Sequence, residues 1–303
     1  MPRRTRPASS RSPTRSDRRT SPRTSRCAKQ ATPTSSLARS STSCDFAAGC
    51  TAREHEAAQK VRAPRGRHAR RSRCTPEEPS SRSCERARMK KIAVLGTGQV
   101  GEALAKGFLA NGFAVMRASR EPAKLADWKT AAGGEASTGT LAEAAKWADI
   151  VVLAVKGTAA ENALELAGAA NLAGKTVIDT TNPISEEPPQ GGVVRYFTKA
   201  NESLMERLQA KAPQARLVKA FNSVGSAFMV NPPFKPEPAM FICGNDAGAK
   251  QETSEILAKF GWKAVDMGGV EVARPIEALC QLWCAPGFLK NDWAHAFGWL
   301  TLK

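Results

Sequence analysis

One stretch limits what this chain can fold into more than any other. The apolar run Lys91 to Leu95 ends in Gly96-Thr97-Gly98-Gln99-Val100-Gly101, and from Val100 the apolar residues recur as Ala103, Leu104 and Phe108 until Asn111-Gly112. A short apolar run followed, across a glycine turn, by apolar residues at helical spacing predicts strand, tight turn, helix. A GxGxxG in that setting is the phosphate-binding turn of a dinucleotide fold. Gly96 permits the turn, Gly98 lets backbone approach a pyrophosphate, Gly101 lets helix and strand pack closely, and the helix N-terminus offers N–H groups and a positive dipole.

Further units follow downstream. Phe113 to Ala118 reads as a second strand, and Pro122 opens a helix that ends by Gly133-Gly134. Thr140 with Glu143 forms a capping box for Leu141 to Ala148, which leads into the strand Ile150 to Val155. A helix over about 159–172 stops at Gly174, and the strand Thr176 to Asp179 precedes Thr180-Thr181-Asn182-Pro183. A helix over about 201–211, strands Arg216 to Phe221 and Met240 to Cys243, and a helix from Ala247 to Phe260 complete the alternation. Val272, Ile276, Leu279 and Trp283 mark a last helical stripe. Alternation of this kind predicts an α/β fold of Rossmann type, doubly wound around a mainly parallel sheet.

Charge divides the chain in two. Residues 1–88 hold 20 Arg and 2 Lys against 7 acidic residues, a net of +15 out of the chain's +17, which leaves +2 for residues 89–303. The leading segment is Arg, Ser, Thr and Pro, with Phe46 its one aromatic residue, and such a composition predicts disorder. It has the charge of a nucleic-acid arm without the interleaved aromatics, and the Arg and Ser bias of a transit peptide without a persuasive amphipathic helix. It has no apolar core of a secretory signal, and no run in the chain approaches the roughly 18 apolar residues of a membrane span. Met89 followed at once by Lys90-Lys91 and a strand reads as a native start, with residues 1–88 as translated upstream sequence. Domain expectations are therefore a disordered segment over 1–88 and an oxidoreductase unit over 89–303, with no nucleic-acid or membrane partner.

What ends the second strand selects the nucleotide. An NAD-binding chain places a carboxylate about 20 residues past the glycines, on the ribose 2′-hydroxyl. This chain has Ser119-Arg120 there, a hydroxyl and a guanidinium suited to a 2′-phosphate, with Arg117 and Lys124 as assisting charges or solvated ones. NADP(H) is the expected cofactor.

Together, Lys91 to Gly101, Ala118-Ser119-Arg120, Asp179 to Pro183, Lys219-Ala220-Phe221-Asn222 and Met240 to Gly244 resemble the coenzyme F-420-dependent NADP oxidoreductase family. That family shares its cofactor domain with pyrroline-5-carboxylate reductases and with the cytosolic reductase domains of six-transmembrane ferric reductases. The resemblance covers essentially all of 89–303. It implies NADPH along the strand ends, hydride transfer to or from a deazaflavin (coenzyme F-420) or flavin-like acceptor, and Ala154, Val155 and Lys156 as the wall of the nicotinamide pocket. The deazaflavin enzymes often carry an extra glycine in the first turn, whereas this chain has the plain GxGxxG, so both acceptors stay open.

Asn182-Pro183 and Asn222 end later strands on the same carboxyl edge and are either ligand contacts or loop caps. The expected cofactor set is thus Gly96, Thr97, Gly98, Gln99, Val100, Gly101, Ser119, Arg120, Lys124, Ala154, Val155, Lys156, Asn182, Pro183 and Asn222. No catalytic side chain and no metal ligand is expected, because hydride transfer needs alignment and the proton lands on a ring atom open to solvent. His55 and His68 fall in the leading segment, and His295 reads as structural. Arg274, Glu277, Trp283, Pro286, Asn291 and Trp293 line either the acceptor site or a subunit contact, with core packing the stronger reading for Trp283. Cys280 and Cys284, at i and i+4, have the spacing of a metal or redox pair but lack the nearby His or second Cys pair such a site needs, while Cys27, Cys44, Cys50, Cys74 and Cys84 match no disulfide or zinc pattern. Apolar surroundings for Cys243, Cys280 and Cys284 suggest a reducing, cytoplasmic setting. A small-molecule redox acceptor and a second copy of the chain are the expected partners. Two rival functions remain: an imine reductase of the pyrroline-carboxylate type, and a non-catalytic NADP(H) sensor.

Overall fold

The computed structural model describes residues 89–302. The expectations for residues 1–88, with His55, His68 and the five leading cysteines, lie outside the described residues.

The predicted βα units form in order. Strand β1 (Lys91–Leu95) leads into helix α1 (Gln99–Ala110), then β2 (Ala114–Ala118) and, after a 3-10 turn, α2 (Ala126–Ala132). β3 (Ala136–Gly139), α3 (Leu141–Trp147), β4 (Ile150–Leu153), α4 (Gly157–Ala167), α5 (Ala169–Leu172) and β5 (Thr176–Asp179) follow. The second half runs α6 (Leu204–Lys211), β6 (Arg216–Lys219), β7 (Ala239–Ile242), α7 (Ala247–Lys259), β8 (Lys263–Asp266) and α8 (Ala273–Lys290). Six strands pair in parallel in the order β3-β2-β1-β4-β5-β6, the Rossmann arrangement whose order reverses between β1 and β4. Ile92, Val94 and Val152 face one apolar layer and Ala93, Leu95, Val151 and Leu153 the other, so both faces of the sheet are covered by helices.

Several boundaries correct the sequence reading. β3 and β8 carry too few large apolar residues to read as strands, and they form because a paired neighbour supplies the ladder. The helix expected over 159–172 is interrupted at Gly168, whose φ of 85° ends α4 and starts α5. α6 begins at Leu204, where Ser203 and Glu206 form a second capping box. Strand β6 stops at Lys219 because Phe221 takes a φ of 60°. β7 stands outside the main sheet: it pairs with β8, and Cys243 touches Lys219 by an isolated antiparallel bridge.

Candidate cofactor cleft

The carboxyl ends of β1, β2, β4 and β5 open into one groove. A hollow of about 470 Å³ is lined by Gly96, Thr97, Gly98, Ser119, Arg120, Ala154, Val155 and Lys156, among others. A neighbouring one of about 780 Å³ shares Gly98, Ala154, Val155 and Lys156 and continues over Gly157, Thr180, Asn182 and Ser185. The cleft therefore runs from the end of β2, across the point where strand order reverses, to the loop after β5.

Two glycines in this cleft are required for different reasons. At Gly96, φ is 142° and a Cβ would sit 2.1 Å from the Ala154 carbonyl oxygen, so the protein itself excludes a side chain. Gly98 has an ordinary extended backbone, φ −75° and ψ 178°, and a Cβ there would meet no protein atom within 4 Å. Nothing in the protein demands glycine at Gly98. What remains is space for something lying against the backbone, at the N-cap of a helix whose first turn receives no side-chain cap. These features fit a dinucleotide pyrophosphate. Gly101 carries the third demand: its Cβ would stand 3.0 Å from the Gly96 carbonyl oxygen and 3.4 Å from Val94, the close packing of α1 on β1.

At the β2 end, Arg120 is exposed, lines the hollow with Ser119, and has no ion-pair partner among the described residues. The Ser119 hydroxyl accepts from the Glu121 amide at 3.1 Å and keeps its own proton to donate. This is the pairing a 2′-phosphate requires, with both groups on the same side of the sheet as the glycine turn. Lys124 is not drawn in: it is exposed and pairs with Glu121 at 2.9 Å. Arg117 is no surface charge. It is 1 % exposed, stacks on Trp128 at 5.0 Å, and donates from Nη2 to the carbonyls of Gly96 and Gly98 at 3.4 and 3.3 Å.

At the β5 end, the hydroxyls turn inward. Thr180 donates to the Leu153 carbonyl at 2.9 Å and Thr181 to Asp179 Oδ1 at 2.7 Å. Asn182 lines the cleft, its amide fixed by Asn222: it donates to the Asn222 carbonyl at 2.7 Å and accepts from Asn222 Nδ2 at 3.1 Å. Asn222 and Pro183 are themselves buried and do not line the cleft; Asn222 also donates to the Ile276 carbonyl at 2.8 Å. Ser185 lines the cleft, but its hydroxyl oxygen is buried and lacks a hydrogen-bond partner.

Beneath this end lies a buried charge cluster. Lys219, 0 % exposed, reaches Asp179 Oδ2 at 2.6 Å, Glu277 Oε1 at 2.8 Å and the Thr181 carbonyl at 2.8 Å. Burial opposes its charge, but the two carboxylates hold its ammonium above the ordinary lysine range. Glu277 also accepts from the amides of Leu204 and Met205, capping α6.

Glu277 is thus a buried brace rather than part of an acceptor site. Its companions in that expectation pack elsewhere too. Arg274 pairs with Glu206, Trp293 covers Gly287 in the last turns of α8, and Asn291 ends that helix in the left-handed region. Trp283 is buried, as core packing requires, and exchanges hydrogen bonds with His295, which ties the C-terminal segment to α8. Cys280 and Cys284 do face one another, with sulfurs 3.8 Å apart, and their contact together with burial raises the Cys280 thiol.

Sequence reasoning missed Gly157, Thr180, Thr181 and Ser185 as cleft residues. Gly157 had a signal, since it lies four residues past the end of β4 and is the first residue of α4. Its Cβ would lie 1.9 Å from the Asn182 carbonyl oxygen.

Residues 91–183 match the model of a family described as NADP oxidoreductase coenzyme F420-dependent. A solved structure from Arthrobacter sp. FB24, described as a candidate F420-dependent NADP-reductase, is 32% identical, with a TM-score of 0.65, covering 70% of this chain and 100% of that one. A hypothetical protein from Sinorhizobium meliloti is 27% identical with a TM-score of 0.52, covering 62% of this chain and 90% of that one. Among curated proteins, the rat metalloreductase STEAP3 is 29% identical over 189 residues, 62% of this chain and 36% of its own length. The chain spans about a third of that relative. Among the described residues, no helix is long and apolar enough to cross a membrane.

Proposed function

This chain belongs to the coenzyme F420-dependent NADP oxidoreductase family, and from that premise we propose that residues 89–303 move a hydride between NADP(H) and a deazaflavin or flavin-like acceptor. The observation that carries the reading is the division of the cleft. One end has the glycine turn and the Ser119-Arg120 pair, and the other has a second hollow with room left beyond the shared wall of Ala154, Val155 and Lys156.

The residues of this chain bind and align. Thr97, Gly98 and Gln99 present backbone to the pyrophosphate, Ser119 and Arg120 take the 2′-phosphate, and Ala154 to Lys156 back the nicotinamide. When bound, NADPH supplies the hydride and the acceptor receives it; the protein's task is to hold the two rings in contact and exclude water. Thr180, Thr181 and Asn182 have their polar atoms committed to the scaffold, so they offer a fixed wall rather than an acid or base.

Stopped-flow mixing of the protein and NADPH with oxidised deazaflavin, flavin or a cyclic imine tests the reading. Loss of NADPH absorbance with the deazaflavin or the flavin is expected. Turnover of the imine alone, or tight NADPH binding with no turnover of any acceptor, would contradict it.

Two companion proposals follow. The outer face of α8 exposes Leu282, Phe288 and Leu289, which supports a second copy of the chain as a partner and predicts a dimer mass in sedimentation. The free thiols Cys243, Cys280 and Cys284 support a reducing, cytoplasmic setting, for which fractionation is the check.

A further inference from the structure

A buried cation normally has an anion beside it, because an unpaired charge out of water is costly. Lys219 obeys this rule with two carboxylates. Arg117 does not: it is 1 % exposed, it forms no salt bridge among the described residues, and its Nε has no hydrogen-bond partner. Glu102, an acid whose charge acts on Arg117, is hydrogen-bonded to Lys106 at 2.6 Å instead. What Arg117 touches is the glycine turn, through the carbonyls of Gly96 and Gly98.

Those two contacts have a geometric consequence. In a trans peptide, the carbonyl of one residue and the N–H of the next point in opposite directions. A guanidinium that draws the Gly96 and Gly98 carbonyls toward itself therefore turns the N–H groups of Thr97 and Gln99 away from it. Thr97 and Gln99 both line the cleft, and neither amide donates a backbone hydrogen bond among the described residues outside regular helices and strands. Trp128 holds the guanidinium plane from its other side, at 5.0 Å.

We propose that Arg117 is a positioning residue for the dinucleotide: it sets the peptide planes 96–97 and 98–99 so that their N–H groups face the pyrophosphate, and the phosphate charge answers its own. The inference rests on the dinucleotide reading of the cleft and adds to it a cation that never touches the ligand. Arg117 serves the pyrophosphate, which NADPH and NADH share, while Arg120 serves the 2′-phosphate, which only NADPH has.

The test compares the full chain with R117M, R117Q and R117K by fluorescence titration with NADPH and with NADH, alongside thermal unfolding without nucleotide. For R117M and R117Q, affinity falls on the order of ten-fold for both nucleotides, the NADPH-to-NADH ratio stays at the wild-type value, and R117K recovers most of the loss. R117M and R117Q still fold without nucleotide, with an unfolding midpoint lowered only by the loss of two long hydrogen bonds and the Trp128 contact, because no salt bridge is broken. Wild-type affinity for both nucleotides in R117M would overturn the proposal, as would a loss confined to NADPH. Failure of both R117M and R117Q to fold would overturn it too, because the cation would then serve the fold itself. If the wild type bound neither nucleotide, the parent reading would fall instead.

Discussion

Two buried cations sit at the two ends of the cleft, and they are satisfied in opposite ways. Lys219, under the loop after β5, has two carboxylates and a carbonyl around it. Arg117, under the glycine turn, has carbonyl oxygens and a tryptophan face. The β5 end supplies its cation with carboxylates from the protein itself, in a cluster that joins β5, β6, α6 and α8. At the glycine end, among the described residues, α1 has no side-chain cap and Arg117 and Arg120 form no salt bridge, which supports the proposal of a phosphate there. On the proposed reading, the difference teaches that the acceptor end is shaped by the fold, whereas the nucleotide end is shaped for a phosphate.

The sharpest way to break this comparison is to remove the cation that the fold depends on. Lys219→Met leaves Asp179 and Glu277 buried together without a counter-charge, and a loss of about 3–5 kcal/mol is expected in denaturant unfolding. A change below about 1 kcal/mol would mean that the cluster does not hold the wall. Next comes Gly98→Ala, whose Cβ meets no protein atom within 4 Å and so leaves the unfolding midpoint near wild type. It fills the space assigned to the pyrophosphate, and affinity for NADPH is expected to fall about 100-fold. Unaltered binding would remove the phosphate from that turn.

The smallest effect is expected at Ser185. Its hydroxyl has no partner, so Ser185→Ala changes stability by no more than about 0.5 kcal/mol. Because that oxygen is buried, the KM for the acceptor and the Kd for NADPH both stay near wild type. A rise of about three-fold or more in either would mean that the hydroxyl reaches the cleft.

The same division governs how much the sequence reveals. The nucleotide end is local: Gly96 to Gly101 and Ser119-Arg120 lie within two consecutive βα units, where spacing, glycine and charge are read directly from the chain. Arg117 was ambiguous at that level, because only packing against Trp128 shows it to be buried. The β5 end is assembled from distant segments. Lys219 meets Asp179 and Glu277 across 40 and 58 positions, and Asn222 meets Asn182 across 40. No periodicity reports such pairings. β3 and β8 were missed because each gains its extended form from a partner strand rather than from its own apolar pattern.

Paired titration of wild type and Arg120→Ala with NADPH and NADH tests the account at its centre. Wild type is expected to prefer NADPH, and the variant to lose about 10- to 100-fold in NADPH affinity, the usual worth of charge-assisted hydrogen bonds, with NADH binding unchanged. Equal affinity of the wild type for both nucleotides, or an equal loss of both in the variant, would contradict the placement of the 2′-phosphate at the end of β2.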